Sequence, residues 1–418
     1  MNRLLIAIVV AIVAAFGSVF LFEGAMEEVY WIGEFFLKSL KMIIVPLVMF
    51  SMISGITGLG DVRKLGRLGG ITVAYYATTT LVAVTLGSIL VNIIQPGVGL
   101  SGAGLEVPAR VAAKEDLGLP DIILGFVSDN IIGSMADMQM LPLIVFSLVF
   151  GAVLTTMEGR GDPIIAFVNA GNEAMMKLVH LLMWLAPVGI FGLIAGRFGA
   201  AVAEGGMDAF IAELSAVGWY MVTVIAGLSV HSLVILPLAL FFLARRSPLQ
   251  YARSLGTALL TAFSTASSAA TLPLTIEAVE EKAGVDPKAA QFVLPLGATI
   301  NMDGTALYEA VAVIFIAQAM GIDLSLGQQV LVVLTATLAA IGAAGIPEAG
   351  LVTMVIVLRA VDLPLEGVGL ILSVDWLLDR FRTTVNVWGD AVGAAVVERL
   401  ALGETTALPA ATSPHRTG

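Results

Sequence analysis

Six uncharged, mostly apolar stretches in the first 245 residues constrain the fold more than any other feature of this chain. They cover residues 4–22, 42–60, 68–105, 138–157, 178–196 and 214–244. A helix needs roughly 20 such residues to cross a lipid bilayer, so we predict six membrane-spanning helices here. The third stretch is too long for one helix and contains Gln95-Pro96-Gly97. This sequence is typical of a turn, so we place the third helix near residues 70–94.

The composition supports an integral membrane protein with the lipid bilayer as its partner. Hydrophobic residues make up 58% of the chain and charged residues only 13%, whereas a soluble domain carries about 25% charged residues. The net charge of −11 argues against nucleic acid as a partner, because nucleic acid binding needs a basic surface. The chain has no cysteine, which excludes disulfides, thiolate metal ligands and a cysteine nucleophile.

Basic residues predict the orientation of the chain in the membrane. Arg63, Lys64 and Arg67 lie between the second and third stretches, and Arg245-Arg246 follow the sixth. Short loops rich in lysine and arginine stay in the cytoplasm. We therefore predict a multi-pass membrane protein whose two termini face the cytoplasm.

Two later uncharged segments, residues 254–276 and 324–347, are interrupted by small polar residues, glycine and proline. Backbone that is not helical survives at membrane depth only when it is buried in protein or lines a wet cavity. Both segments are therefore predicted to form re-entrant hairpins. The hairpins cover about residues 251–281 and 325–364, with tips near 265–270 and 343–349.

Each hairpin precedes a span that contains Asn-x-x-Gly. The first motif is Asn301–Gly304 and the second is Asn386–Gly389, 85 residues later. Because the two motifs follow matching hairpins in the same order, they indicate an internal repeat. Repeats with interrupted helices are typical of transporters that bind their cargo near the membrane midplane.

The last span carries a charged face. Asp379, Arg382, Thr383, Asn386 and Asp390 have helical spacing and share one side of a helix. Together with Arg380, the four charges from position 379 to 390 would cost on the order of 10 kcal/mol against lipid. Two interpretations follow: a structural ion-pair network, such as Asp379 with Arg382, or a site for a small zwitterion or dianion plus cations.

The preceding span adds oxygen ligands and a lone carboxyl group. Glycine and Asn/Asp in Asn301–Thr305 permit local unwinding, which would free backbone carbonyls. Carbonyls together with Asn301, Asp303, Asn386 and Asp390 suit a hard cation, although the residues alone do not separate sodium from calcium. Burial favours the neutral form of a carboxyl group, so Glu309 is either a proton carrier or a hydrogen-bonded structural residue.

These motifs resemble the excitatory amino acid (glutamate/aspartate) transporters and their prokaryotic homologues, the dicarboxylate/amino acid:cation symporters. The resemblance rests on Asn301–Thr305, the hairpin sequence that ends in Thr271-Leu272-Pro273, and the series from Asp379 to Asp390, and it extends to about residue 400. It implies an all-α polytopic membrane protein with eight transmembrane helices, two re-entrant hairpins and inverted repeats. A mobile transport domain would move as an elevator against a homotrimeric scaffold. That the membrane is the cytoplasmic (inner) one is implied only by this resemblance.

The resemblance also divides the chain. Residues 1–69 would form scaffold helices 1 and 2, residues 70–95 transport-domain helix 3, and residues 126–200 scaffold helices 4 and 5. Residues 214–400 would complete the transport domain with helix 6, the first hairpin, helix 7, the second hairpin and helix 8. Residues 401–418 are predicted to be a disordered tail.

By the same resemblance, Arg382 would bind the side-chain carboxylate of the substrate and Asp379 its amino group. The remaining substrate-binding positions are Ser267, Ser268, Thr305, Thr383 and Asn386. One sodium site would use Gly297, Asn301, Asn386 and Asp390. Another would use Tyr76, Thr79, Thr80, Asn301 and Asp303. A third would use backbone oxygens near Thr299, Ala343, Ala344 and Gly345.

Several positions distinguish branches of the family. The resemblance implies that Arg382 and Asp379 select an acidic amino acid, that Asp390 indicates sodium coupling, and that Glu309 takes part in proton and potassium coupling. Ala266 and Ala269 depart from a hairpin that often carries serine. Glu348 at the second tip is either solvent-exposed or an added proton or cation site.

We found no constellation of an intramembrane enzyme, and a passive channel would not need the Asp379–Arg382 site. The single histidines His180 and His231 are interpreted as packed or hydrogen-bonded residues. The sequence therefore predicts a sodium-coupled symporter for L-glutamate or L-aspartate, with no cofactor other than coupling ions, among which protons and potassium stay open. The alternative is a proton-coupled glutamate/aspartate or dicarboxylate symporter without sodium dependence.

Overall fold

The structure, a computed structural model, describes residues 3–58, 60, 66–100, 123–341 and 349–403. All regular elements in these ranges are helical. The α-helices are α1 Arg3–Phe22, α2 Tyr30–Thr57, α3 Gly66–Ile94, α4 Ile131–Ala136, α5 Met140–Thr155, α6 Asp162–Met183, α7 Ala186–Val230, α8 Leu236–Leu243, α9 Pro248–Ser254, α10 Gly256–Thr265, α11 Ser268–Glu277, α12 Pro287–Ile300, α13 Asp303–Ala319, α14 Leu326–Ala340, α15 Ala349–Ala360 and α16 Val368–Val397.

Short 3-10 and π-helical segments connect or extend these helices. The 3-10 segments are Glu23–Val29 and Leu365–Gly367, and the π segments are His231–Ile235, Ala278–Lys282 and Glu398–Leu402. The last π segment includes residues 401 and 402, so the predicted tail begins too early. Residues 404–418 lie outside the described ranges.

The predicted spans agree with the helices to different degrees. Helices α1 and α3 match the first and third stretches, whereas α2 begins at Tyr30, ahead of its uncharged stretch, and includes the Glu34–Lys38 ion pair of 3.6 Å. The predicted span at residues 178–196 is wrong as one helix, because it crosses from α6 into α7. Pro187 lies in the first turn of α7, where a proline favours a new helix start.

Helix α7 is itself divided. Gly206 has φ 68° and ψ −164°, a non-helical conformation that glycine adopts without steric cost. Residues 186–205 and 207–230 thus form two halves of α7, and the π segment His231–Ile235 connects the second half to α8. The helix predicted to begin at residue 214 therefore starts at about residue 207.

Four helical stretches in the described ranges are long and apolar enough to cross a membrane: Ile6–Thr57, Gly66–Ile94, Ala186–Leu243 and Pro287–Ala319. The chain is a multi-pass membrane protein by this measure. The fourth stretch has its most apolar window completely buried inside the protein, so α13 is surrounded by other helices. Its polar residues consequently face protein and not lipid.

The interruptions predicted from small and polar residues are present where the structure describes them. Helices α12 and α13 are separated by Asn301 and Met302, which have non-helical backbone angles. Helices α10 and α11 are joined by Ala266, with φ 50°, and Ser267. The tip predicted between α14 and α15 lies outside the described residues, as do Ala343, Ala344, Gly345 and Glu348.

Candidate functional site

The buried arginine of α16 is the centre of the candidate site. Its Nη1 donates to Asp375 Oδ1 at 2.9 Å and its Nη2 donates to Asp379 Oδ1 at 2.8 Å. The Arg382 side chain is fully buried, and its guanidinium carbon lies 3.9 Å from the centre of the Tyr308 ring. Two carboxylates and an aromatic face therefore surround one cation, and the Asp379–Arg382 contact named in the ion-pair interpretation is present.

Helices α13 and α15 approach Arg382 closely at positions that are occupied by glycine. A side chain at Gly350, near the start of α15, would come within about 3.0 Å of the Arg382 Nη1 atom. At the start of α13, a side chain at Gly304 would meet the Arg382 backbone. The lack of side chains at both places lets α13 and α15 approach the guanidinium closely.

Asn386 connects the charged helix to the break between α12 and α13. The Gly304 backbone N–H donates to Asn386 Oδ1 at 2.8 Å. Asn386 Nδ2 donates to Thr305 Oγ1 at 3.3 Å and contacts Met302 Sδ at 3.2 Å. The structure thus brings Asn386 and Thr305 together next to Arg382. Thr383 is buried on the same helix.

The tip of the first hairpin provides the predicted serines. Ser267 immediately precedes α11, and its Oγ accepts from the Ala270 backbone N–H at 3.2 Å, which is a helix N-cap. Ser267 and Ser268 are both buried. Arg380 donates to the carbonyl oxygens of Phe263 (2.9 Å) and Ser264 (2.7 Å). Arg380 therefore attaches α16 to the end of α10 and does not face the Arg382 pair.

A first oxygen-rich cluster surrounds Asp390. Asn301 Nδ2 donates to Asp390 Oδ1 at 2.9 Å, while the buried Oδ1 of Asn301 has no hydrogen-bond partner among the described residues. A side chain at Gly297 would overlap the Asp390 carboxylate and the Tyr76 hydroxyl. Gly297, Asn301 and Asp390 thus lie close together, whereas the Asn386 side chain bonds the start of α13 instead.

A second cluster surrounds Asp303, in the first turn of α13. Asp303 Oδ1 accepts from Thr80 Oγ1 at 2.7 Å and from Thr79 Oγ1 at 3.3 Å. Tyr76 lies between the clusters: its hydroxyl donates to Val293 O at 2.9 Å and its carbonyl accepts from Thr79 at 3.2 Å. The structure thereby joins α3 to the break in the α12–α13 pair.

His231 is hydrogen-bonded, as its sequence position indicated, but its partner was not predicted. Its Nε2 donates to Asp303 Oδ2 at 3.0 Å, and both side chains are fully buried. His231 begins a π segment, and π turns within helices occur frequently at functional sites. The Trp388 indole N–H donates to the Ser232 carbonyl at 3.1 Å in the same segment. A single histidine 72 residues from its partner carries no local signal for this contact.

Glu309 lies apart from both oxygen-rich clusters. The Thr353 hydroxyl of α15 donates to Glu309 Oε1. Glu309 is fully buried, and its Oε2 has no hydrogen-bond partner among the described residues. A carboxyl group in this setting can hold a proton, and α15 contacts it directly.

The side chain of Thr299, a residue of the third predicted sodium site, does not join either oxygen-rich cluster. Thr299 is exposed, and its hydroxyl donates to the Leu296 carbonyl at 2.8 Å within α12. The other members of the third predicted sodium site lie outside the described residues. Within the described ranges, no three His, Cys, Asp or Glu side chains form a metal-binding group, so the clusters above are of mixed carboxylate, amide and hydroxyl oxygen.

Comparison with known proteins identifies similar chains over nearly the full length. The sodium:dicarboxylate symporter family model matches residues 1–400. Excitatory amino acid transporter 3 of Oryctolagus cuniculus is 44% identical, covering 89% of this chain and 79% of that protein. The excitatory amino acid transporter of Caenorhabditis elegans is 41% identical (95% and 87%), and excitatory amino acid transporter 5 of Homo sapiens is 39% identical (88% and 76%).

Proposed function

Because the chain belongs to the sodium:dicarboxylate symporter family, it is a membrane transporter and not an enzyme, and we propose that it imports L-glutamate or L-aspartate together with sodium. The observation that carries this proposal is the fully buried Arg382 held between Asp375 and Asp379. A guanidinium binds a carboxylate through two parallel hydrogen bonds, and the adjacent Asp379 suits an ammonium group.

Substrate binding in this proposal exchanges ion-pair partners. The substrate side-chain carboxylate takes a place on the Arg382 guanidinium, and Asp379 pairs with the substrate ammonium instead of with Arg382. The substrate side-chain carboxylate and ammonium each gain a partner of opposite charge in the exchange, which reduces the cost of burying them. Ser267, Ser268, Thr305, Thr383 and Asn386 are the hydroxyl and amide groups proposed to complete the hydrogen bonds to the substrate.

Sodium ions are proposed to bind at the two oxygen-rich clusters. Gly297, Asn301, Asn386 and Asp390 form the first proposed ligand set, and Tyr76, Thr79, Thr80, Asn301 and Asp303 form the second. The unpartnered Asn301 Oδ1 supports the first site, because a buried amide oxygen without a donor suits a hard cation. Thr299, Ala343, Ala344 and Gly345 remain the proposed backbone ligands of a third sodium ion.

The start of α13 supplies the proposed coupling between the ions and the substrate. Asp303 lies beside Gly304, whose N–H is bound by Asn386, and Asn386 reaches Thr305 at 3.3 Å. An ion that orders the α12–α13 break also orders Asn386 and Thr305 for the substrate. Sodium and substrate thereby increase each other's affinity, as reciprocal linkage requires.

His231 is proposed to hold Asp303 in the orientation that the second sodium site needs. A ligand that is held by a neighbouring hydrogen bond binds its metal more tightly, and loss of such a neighbour costs about 10–100-fold in metal affinity. His231 occupies one carboxylate oxygen of Asp303, so the other oxygen faces Thr79 and Thr80. The histidine is a positioning residue and not a proposed ligand.

The wider architecture of the family is proposed for this chain as well. The proposed transport domain (70–95 and 214–400) moves as an elevator against a scaffold (1–69 and 126–200) in a homotrimer. It has eight membrane-spanning helices and lies in the cytoplasmic membrane with both termini in the cytoplasm. Alternating access of this kind presents the site to one side of the membrane at a time.

Uptake of labelled L-glutamate and L-aspartate into proteoliposomes tests the proposal. We expect saturable uptake that depends on an inward sodium gradient and is lost when choline replaces sodium. Protein-free vesicles and a gradient-collapsing sodium ionophore are the controls. Absence of uptake of both substrates by folded protein would overturn the proposal.

A second candidate function, proton-coupled transport of glutamate, aspartate or dicarboxylates without sodium, is favoured by one observation. Glu309 is fully buried and has one carboxyl oxygen without a partner in the described ranges. The same proteoliposomes distinguish the two functions. Uptake that ignores sodium, follows an inward proton gradient and loses that dependence in Glu309→Gln supports the second candidate. A proton dependence with retained sodium dependence instead adds proton co-transport to the first, and acceleration by internal potassium adds counter-transport.

A further inference from the structure

A buried ion pair lies in α7, away from the candidate site. Arg197 Nη2 and Glu213 Oε1 are 2.7 Å apart, and the two side chains are only 5% and 4% exposed. The second oxygen of Glu213 is buried and has no hydrogen-bond partner among the described residues. Neither residue takes part in the substrate or ion contacts described above.

The pair bridges the interruption of α7. Arg197 lies in the half before Gly206 and Glu213 lies in the half after it, 16 residues further along the chain. The positive φ of Gly206 breaks the helical ladder, so the two halves are not held together by continuous backbone hydrogen bonds. The ion pair is thus a side-chain connection between two separate helical segments.

The two halves pack against partly different parts of the molecule, although near the break Phe210 of the second half packs on Phe198 of the first half and on Phe16 of α1. In the first half, glycines let the helix approach α2: side chains at Gly189 and Gly196 would meet Phe36 and Tyr30. In the second half, the Tyr220 ring stacks on Phe315 of α13 at 4.8 Å. A side chain at Gly227 would contact Leu307 of the same helix. The pair therefore connects the α2 side of the protein with the helix that carries Asp303 and Glu309.

A purely stabilising role does not explain well why a buried Arg197–Glu213 ion pair occupies this position. Apolar residues of similar volume usually stabilise a buried site at least as well as an ion pair, particularly one with an unsatisfied oxygen, and a switch or register is a better-attested role for such a pair. We propose that Arg197 and Glu213 form a lock that holds the two halves of α7 together in this conformation and opens during transport. The proposal rests on the alternating-access function proposed above, because that function requires the two packing groups to move relative to each other.

Distance measurements between the two groups test the lock without relying on uptake. The chain contains no cysteine, so Trp184→Cys and Phe242→Cys introduce the only two thiols. Trp184 is 71% exposed and Phe242 is 67% exposed. Trp184 lies just before the first half of α7, and Phe242 lies near the end of α8. Nitroxide labels at both thiols, diluted with unlabelled protein in liposomes, are measured by double electron–electron resonance. The distances are measured in the doubly labelled protein that keeps Arg197 and Glu213, and in the same protein carrying Arg197→Met/Glu213→Met.

The lock predicts a second distance population that the double variant increases about tenfold relative to the first, a shift of ~1.4 kcal/mol. The charge swap Arg197→Glu/Glu213→Arg is expected to restore the native distribution. Glu213→Gln alone, which keeps the side-chain volume, is expected to shift the populations in the same direction and serves if the double variant does not fold. The control is Arg246→Met/Glu398→Met, which removes a more exposed 2.7 Å ion pair between Arg246, after α8, and Glu398, in the π segment after α16, and should leave the distances unchanged.

Unchanged distances in folded Arg197→Met/Glu213→Met or Glu213→Gln overturn the lock. An equal shift in the Arg246/Glu398 control also overturns it, because the effect would then follow from general loosening. These outcomes are independent of the transported substrate. Failure of glutamate and aspartate uptake with an intact lock response would instead overturn the proposed function.

Discussion

The Arg382 region and the Asp303–Asp390 region treat buried charge in opposite ways. Arg382 is a cation paired with two carboxylates at 2.8–2.9 Å, which leaves the group with a net charge of −1. The carboxylates of Asp303 and Asp390 instead receive hydroxyl, amide and imidazole donors, and none of their described hydrogen bonds comes from lysine or arginine. In the first region the carboxylates already have a cationic partner, whereas in the second they have only uncharged donors and can accept added positive charge. This difference matches a substrate that exchanges ion-pair partners and ions that fill a deficit.

Replacing Arg382 is expected to have the largest effect on uptake, because it removes the cation that distinguishes the first region from the second. Arg382→Cys leaves Asp375 and Asp379 without their cation, and loss of one partner from a buried pair costs about 3–5 kcal/mol. We expect acidic amino acid uptake to fall at least a hundredfold and neutral amino acids to become competing substrates. Uptake competition in proteoliposomes measures both, with the same vesicles checked for monodisperse protein. Retained glutamate and aspartate uptake would contradict the assigned role of Arg382.

Removing a carboxylate charge from the Asp303–Asp390 region should weaken sodium binding more than substrate binding. Asp390→Asn keeps the side-chain shape but lowers the negative charge available to a cation. We expect the sodium concentration for half-maximal uptake to rise about tenfold or more, with less change in substrate affinity at saturating sodium. Asp323→Asn, at an exposed position after α13, is the control. An unchanged sodium response in Asp390→Asn would count against the first ion site.

The histidine variants sharpen the comparison, because they change the support of Asp303 and not its charge. A hydrogen bond to a charged group contributes roughly 1.5–3 kcal/mol, so His231→Phe is expected to raise the sodium requirement about tenfold. His231→Gln retains a donor and should recover much of the loss. The sodium dependence of uptake separates this positioning role from packing. If both variants lose activity at every sodium concentration alike, the role is structural.

Replacing Arg380 is expected to have the smallest effect on transport, and it serves as a reference for the replacement of Arg382 on the same helix. It lies on the same helix but binds two neutral carbonyl oxygens at the end of α10. Arg380→Gln should lower the thermal stability by a few degrees, since such hydrogen bonds contribute about 0.5–1.5 kcal/mol each. Substrate selectivity should not change. Admission of neutral amino acids by Arg380→Gln would show that the two arginines are not functionally separate.

The sequence predicted the parts of the site that lie close together along the chain. Helical spacing correctly placed Asp379 and Arg382 in contact, and the Asn/Gly content of residues 301–304 correctly predicted the break before α13. Both predictions depend on interactions within a few residues, where periodicity and backbone preference act directly. The turn at Ala266-Ser267 was predictable for the same reason.

The contacts that the sequence did not reveal join distant segments. The His231–Asp303 hydrogen bond and the Arg197–Glu213 pair depend on how separate helices pack, which apolar periodicity does not specify. The boundary between α6 and α7 was missed because an uncharged stretch reports only that a segment is apolar. The proline that marks the new helix start changes the backbone without changing hydropathy.

The break at Asn301 and Met302 also has an electrostatic consequence. Helix α12 ends there with free carbonyls and α13 begins there with free N–H groups, so a partial negative end and a partial positive end, each of about half an elementary charge, meet within two residues. The negative end lies near Asn301 and favours cations, while the positive end points its N–H groups toward Asn386. One interruption of one helix thus presents both polarities, which the proposed transport of cations with anionic amino acids requires side by side.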